Sequence, residues 1–359
     1  MNNLTNKYGS FQEGAKRLQA ATSGVPDRIP VYAAMHDFAR HEFKLSSKDF
    51  YFEPDVFVPA VLDTHLKYGI DAATIGYDTY NIEAGALGQE IAFNEDSVPS
   101  AKAPIINTPD DLKKIKTPDF SSDGRFPFVN GINTLFQELT GLAPVIKYCA
   151  PFSLAANLRG IENLIMDMCT NPDFASELLT TLTEDVIAPW ICYQQKLFPD
   201  AKSICGADAY ASPPILSPSF LVEWALPYIV RLRELCGEGV YVPNWVGDSC
   251  FDNPEEMFSY KLKACPKFLE GQDPDVEKIG PEKYKEYAEK HNVPLVLGIG
   301  SKFLAQASRK EVVDRVQNYI DIGGRGGRFV LYLCGLTKTT PPENIRAVIK
   351  TITEYSSER

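Results

Sequence analysis

Eight short apolar runs alternate with longer segments of helical periodicity, and no other feature limits the possible folds as much. The runs fall at residues 28–34, 72–76, 144–149, 203–207, 239–246, 267–270, 294–299 and 328–334. Near-continuous apolar runs of this length read as strands buried on both faces. Between them, residues 55–68, 160–169, 174–195, 218–236, 281–290 and 310–322 repeat their apolar positions with helical spacing. Connections this long rule out hairpins and require parallel pairing through right-handed crossovers. Eight strand–helix units favour an α/β fold closed into a (β/α)8 TIM barrel over an open sheet. A helix over 11–21 leads into the first strand as an N-terminal extension. The stretch 85–133, rich in Pro, Asp, Ser and Asn, reads as an insertion after the second strand with a small hairpin near Gln89–Phe93. The whole of 1–359 is expected to form a single barrel domain.

A formal net charge of -11 argues against nucleic acid as a partner, because binding phosphates needs a basic surface. It also disfavours an anionic membrane surface. No run approaches the roughly 20 apolar residues of a membrane span, and the opening Met-Asn-Asn-Leu-Thr-Asn-Lys lacks a signal-peptide core. The eight cysteines are scattered without a CxxC pair, as reduced core thiols are. A reducing, cytoplasmic setting follows as the expectation.

In a barrel, the C-terminal strand ends converge on one face and carry the chemistry. Those ends here offer His36 and Asp37, then Asp78, Cys149, Asp208, Asn244 with Asp248, Asp273, Ser301 and Cys334. Asp273 and Ser301 are equally readable as helix caps. Asp78, within Tyr77-Asp-Thr-Tyr80-Asn, has no obvious helix to cap. Cys334 sits where the last run meets a Gly turn, and Thr340-Pro-Pro-Glu-Asn344 opens the following helix. Tyr77, Tyr80 and Trp245 are candidates for lining a small or planar substrate, and aromatic packing is the plainer alternative. His65 and His291 fit structural or surface positions. His36 and His41, five residues apart, do not share a helix face well enough for a preformed metal pair. HExxH, P-loop and strand-led GxGxxG motifs are absent; Gly323-Gly-Arg-Gly-Gly327 precedes a strand, the wrong context for a dinucleotide.

The chain resembles the uroporphyrinogen decarboxylase superfamily over nearly its whole length. The resemblance rests on Gly24-Val-Pro-Asp-Arg-Ile-Pro30, Pro151-Phe-Ser-Leu-Ala-Ala-Asn-Leu-Arg-Gly160, Leu216-Ser-Pro-Ser-Phe220 with Pro227-Tyr228, and Cys334-Gly with Thr340-Pro-Pro-Glu-Asn344. It implies the same (β/α)8 barrel and leaves two branches to separate. The decarboxylase branch carries an arginine-rich loop after the first strand that holds the substrate's carboxylates. Here Met35-His-Asp-Phe-Ala-Arg-His41 offers only Arg40. Asn157 stands where that branch has a tyrosine and Cys334 where it has a histidine, while Asp78 matches its catalytic aspartate.

The methylcobamide:coenzyme M methyltransferase-like branch holds zinc through His-x-Cys after the fifth strand and a cysteine after the eighth. Cys334 matches the last ligand, but Asn244 and Val246 occupy the other two positions, so zinc requires other donors such as Cys250, Asp248, His36 or Asp208. The resemblance therefore implies an enzyme moving a methyl group between a small-molecule donor or acceptor and a separate corrinoid protein. Asp78, Asp208 and Cys334 would be catalytic, with Cys334 also a metal ligand if zinc is bound. His36, Tyr77, Tyr80, Asn157, Asn244, Trp245 and Asp248 would contact substrate. Without metal, Asp78 and Asp208 would orient and protonate it. A decarboxylase and a non-catalytic small-molecule binder are the alternatives. Dimers are common in the superfamily, though no residue pattern here demands one.

Overall fold

In the computed structural model, residues 7–357 are described; the opening segment, read above for a leader, lies mostly outside them. Among the described residues nine strands occur in chain order: β1 (Val31–Ala33), β2 (Ile91–Ala92), β3 (Ser100–Ala101), β4 (Ile146–Cys149), β5 (Ile204–Ala207), β6 (Val240–Tyr241), β7 (Leu269–Gln272), β8 (Leu295–Ile299) and β9 (Phe329–Leu333). Their contacts gather into two compact units. One comprises the chain up to Gly76, Ile132–Leu142 and everything from Pro266 on; the other comprises Tyr77–Gly131 and Ala143–Cys265.

The first unit holds a parallel sheet of order β1-β9-β8-β7. All five residues of β8 are buried, as an unbroken Leu-Val-Leu-Gly-Ile run demands. Val296 and Val330 pack with Ala21 of the helix Ser10–Ser23, and Leu18, Phe268 and the stacked rings of Tyr32 and Tyr332 close around them. Tyr32 and Tyr332 are register partners, their centroids 4.2 Å apart.

The run at 72–76 is not a strand. Asp71 is the reason. Its carboxylate accepts Val31 N–H at 3.0 Å, taking a donor that a neighbouring strand would need. Arg17 and Arg28 fix that carboxylate at 2.6 and 2.5 Å. The segment still follows β1, with Ala72 N–H on Val31 O and Thr74 Oγ1 on Ala33 O.

The second unit holds the parallel sheet β4-β5-β6 and the antiparallel hairpin β2–β3. The hairpin falls within the expected insertion, whose remainder includes a 3-10 turn at Pro109–Lys114 with a Thr108–Asp111 capping box. The segment expected to be helical over 174–195 is interrupted. A π-helical turn at Leu182–Ile187 joins Pro172–Thr181 to Ala188–Leu197, and a second at Leu221–Ala225 precedes Leu226–Cys236. Among the described residues no helix is long and apolar enough to cross a membrane.

Candidate functional site

Most of the expected site residues fall in the second unit, where one hydrogen-bonded chain joins several of them. Asp208 follows β5 directly. Gly206, two residues earlier, lies against the Tyr148 ring, where a Cβ would come within 2.5 Å of Cζ. The fully buried Asp208 carboxylate takes three donors. Ser153 supplies its backbone N–H at 3.0 Å and its hydroxyl at 2.8 Å to Oδ1, and Trp245 Nε1 donates to Oδ2 at 3.2 Å. Burial pushes Asp208 up to about 6, against the pull of those donors. Ser153 lies in the first turn of the helix Pro151–Arg159, and Asn157 one turn later donates to Tyr80 O at 2.8 Å.

Asn244 connects the rest. Its Oδ1 accepts Asp208 N–H at 3.1 Å and its Nδ2 donates to the Tyr80 hydroxyl at 3.0 Å. Ala209 N–H also donates to that hydroxyl, at 3.1 Å. Tyr80, Asn157 and Asn244 are half-buried, while Asp208 and Trp245 are buried. Tyr77 is buried, and its hydroxyl donates to Lys147 O at 3.4 Å. Asp248 is committed as well, fully buried with Lys261 Nζ at 2.6 Å.

Asp78 precedes a 3-10 turn, Thr79–Asn81, without capping it through its side chain. Its carboxylate is ion-paired with Arg125 and accepts Asn81 Nδ2 at 3.2 Å. Its other oxygen, Oδ1, is buried without a hydrogen-bond partner. The sequence reading missed Arg125; the signal was its isolation as the one cation between Thr117 and Gln137. The guanidinium also lies over Phe93 at 4.9 Å.

A second missed residue is Glu83, fully buried, whose Oε1 accepts Cys149 N–H at 2.9 Å while Oε2 has no hydrogen-bond partner. Burial pushes its carboxyl up to about 8, and Asp78 adds to the effect. The Cys149 thiol is raised by burial, then by Glu83 and Asp208.

Cys334 and His36 belong to the first unit. Cys334 follows β9 and its N–H donates to Ile299 O at 3.0 Å. Its sulfur lies over Gly298, where a Cβ would come within 2.5 Å. Burial raises the thiol, with Glu270 and Asp273 adding to it. Glu270 is a third missed group: a buried carboxylate inside β7, held by Tyr32 Oη at 3.0 Å and Gln272 Nε2 at 2.5 Å. Asp273 accepts Gly300 N–H, Arg315 and Tyr319. His36 starts the short helix His36–Glu42 and meets Tyr51 edge-on. Arg40, the single arginine at the first-strand loop, is 1% exposed, against His41 at 3.0 Å and Asp37 at 3.8 Å.

The zinc ligand set fits poorly. Both polar atoms of the Asn244 amide are already bonded, Val246 has no donor atom, and Asp208 and Asp248 are spent on other partners. Among the described residues no group of three or more His, Cys, Asp or Glu side chains can hold a metal ion.

Comparison with known proteins agrees with this architecture. The chain is 27% identical over 298 residues to the methylated-thiol–coenzyme M methyltransferase of Methanosarcina mazei, covering 80% of this chain and 73% of that one. It is 27% identical over 188 residues to the uroporphyrinogen decarboxylase of Xanthomonas campestris pv. campestris, about half of either chain. The solved structure of a methyltransferase from Methanosarcina mazei superimposes with a TM-score of 0.77 at 20% identity, covering 95% of this chain and 98% of that one. That likeness shows the fold, the parallel α/β arrangement of TIM-barrel type expected from the run order. The sequence pattern described as uroporphyrinogen decarboxylase (URO-D) matches residues 14–355, and the chain belongs to that family.

Proposed function

We propose that this protein is a methyltransferase that moves a methyl group between a small substrate and a corrinoid carried by a separate protein. The observation that carries the reading is the Asn157–Tyr80–Asn244–Asp208–Trp245 chain, a fixed polar surface with a carboxylate beneath it. The likeness to a methyltransferase over most of both chains supports it. Against a tetrapyrrole decarboxylase stands Arg40: it is sealed among its own neighbours, and a multiply anionic substrate needs several accessible cations.

In this reading Tyr80, Asn157 and Asn244 contact the substrate; the Asp208 backbone N–H orients Asn244, and the Asp208 carboxylate anchors Ser153 and Trp245. The corrinoid, when its carrier docks, supplies a strongly nucleophilic methyl acceptor. No step is assigned to zinc, since the available donors do not form its site.

The test is anaerobic incubation of the purified protein with free cob(I)alamin and, separately, anisole, dimethyl sulfide and tetramethylammonium. Methylcobalamin formed above the protein-free rate, and lost with Asp208→Ala, is the expected result. Carbon dioxide released from uroporphyrinogen, with no methyl transfer from any donor, would overturn the proposal.

A further inference from the structure

The orientation of the Asn244 amide decides where the Tyr80 proton points. Oxygen and nitrogen of an amide look alike, so their assignment must come from the partners. Asp208 N–H can only donate, and it faces Asn244 at 3.1 Å. The atom facing it is therefore Oδ1, which turns Nδ2 toward the Tyr80 hydroxyl at 3.0 Å. Ala209 N–H, also a donor only, reaches the same phenol oxygen at 3.1 Å. With two N–H groups aimed at its lone pairs, the phenol must direct its own O–H elsewhere. The phenol donates to no acceptor among the described residues of this unit, and the residue is half-buried. Buried hydroxyls normally find an acceptor, so this one is available to a bound molecule.

We infer that Tyr80 is the catalytic proton donor of this site, and that the group it serves is a substrate oxygen that gains negative charge as its bond to methyl breaks. The inference rests on the methyl-transfer reading and narrows the donor to a methyl ether. The same two N–H groups that orient the phenol also stabilise the phenolate left behind, as preorganised donors do wherever charge develops. The atoms balance. The electron pair of a reduced corrinoid forms the new bond to the methyl carbon. The carbon–oxygen bond breaks with its pair going to oxygen, and the Tyr80 proton moves to that oxygen. The phenolate, held by Ala209 N–H and Asn244 Nδ2, recovers a proton from solvent. A quaternary ammonium donor needs no such proton, because its amine leaves neutral.

Burial holds the phenol above its ordinary value, with Cys149 and Asp208 adding to the effect and the two N–H donors opposing it. The group therefore keeps its proton at neutral pH until a substrate oxygen demands it. The titratable groups facing it are Asp208 and Cys149.

Two variants test this. Tyr80→Phe removes the proton. Asn244→Asp is isosteric but places a carboxylate oxygen against the phenol, which captures the proton and turns it inward. With anisole and cob(I)alamin, each variant is expected to lose about 100-fold or more in methylcobalamin formation, the usual scale of a general acid. Transfer from tetramethylammonium, which takes up no proton at the leaving group, should fall much less than transfer from anisole. Equal losses with both donors, or none with anisole, would overturn the inference.

A second readout needs no methyl transfer. 4-Nitrophenol, bound as its coloured anion, should bind about 10-fold more weakly to both variants than to the unaltered protein. Should no donor react, the methyl-transfer reading fails, and this affinity alone decides Tyr80. Equal affinity in all three proteins, or no binding to the unaltered one, would overturn its role as a donor to oxygen.

Discussion

Arg125 forms an ion pair with Asp78 in which both side chains are almost completely enclosed, at 8% and 3% exposure. Two charges so placed are each other's main solvation. Replacing Arg125 with Met strands a buried carboxylate and is expected to destabilise the fold by about 3–5 kcal/mol. Adding Asp78→Asn to that variant should recover a large part of the loss. Urea unfolding of the two single variants and the double variant measures the coupling, and additive losses would show that the pair does not act as a unit.

Gly298 and Cys334 make a second close approach. An alanine methyl at 298 would meet the Cys334 sulfur at 2.5 Å and Gln272 Cγ at 3.0 Å. Overpacking of this kind typically costs about 1–3 kcal/mol. Gly298→Ala should lower the melting temperature, and Cys334→Ala in the same chain should restore much of it by removing the obstructing atom.

Glu83 makes stability depend on pH in an unusual direction. Its carboxyl is raised from 4.5 to about 8 in the folded protein. Between those values the unfolded chain releases a proton that the folded chain keeps, so folding weakens as pH rises through this window, by at most about 1.4 kcal/mol per pH unit. Glu83→Gln removes this residue's share of the dependence. Relative to the unaltered protein it should be most favourable above pH 8, with the difference shrinking toward pH 4.5. A constant difference across unfolding curves at pH 5, 7 and 9 would contradict the assignment.

Thiol reactivity should sort by burial. Cys169 and Cys250 are exposed, whereas Cys149 and Cys334 are buried with thiols held above their ordinary value. A chromogenic disulfide reagent should label the exposed pair first in the native protein, and all eight cysteines after denaturation. Rapid native labelling at Cys334, read by peptide mapping, would show a more open sulfur than the structure has.

Much of this fold was legible because its strands are buried on both faces. The β8 and β9 runs could hardly be anything else. The run at 72–76 misled because a side chain, Asp71, took over the pairing that an adjacent strand makes through its backbone. The π-helical turn at Leu182–Ile187 was invisible for another reason: a single turn is too short to set a period of its own. In the candidate site, Asp208, Asn244, Trp245, Asn157 and Tyr80 were singled out from strand ends and family motifs, and their hydrogen bonds join them. Arg125, Glu83 and Glu270 were not. Each is one charged residue among apolar neighbours, and its meaning lies with partners far along the chain, 47 residues for Arg125 with Asp78 and 238 for Glu270 with Tyr32.

The pairing of β1 with β9 places Val31 beside Leu331. During synthesis the earlier strand leaves the ribosome about 300 residues before its neighbour exists. At ordinary elongation rates that is a wait of roughly 15–60 s. Throughout it, an apolar edge stays open to other nascent chains, so a chaperone's protection at this stage should matter more to yield than the stability of the finished molecule.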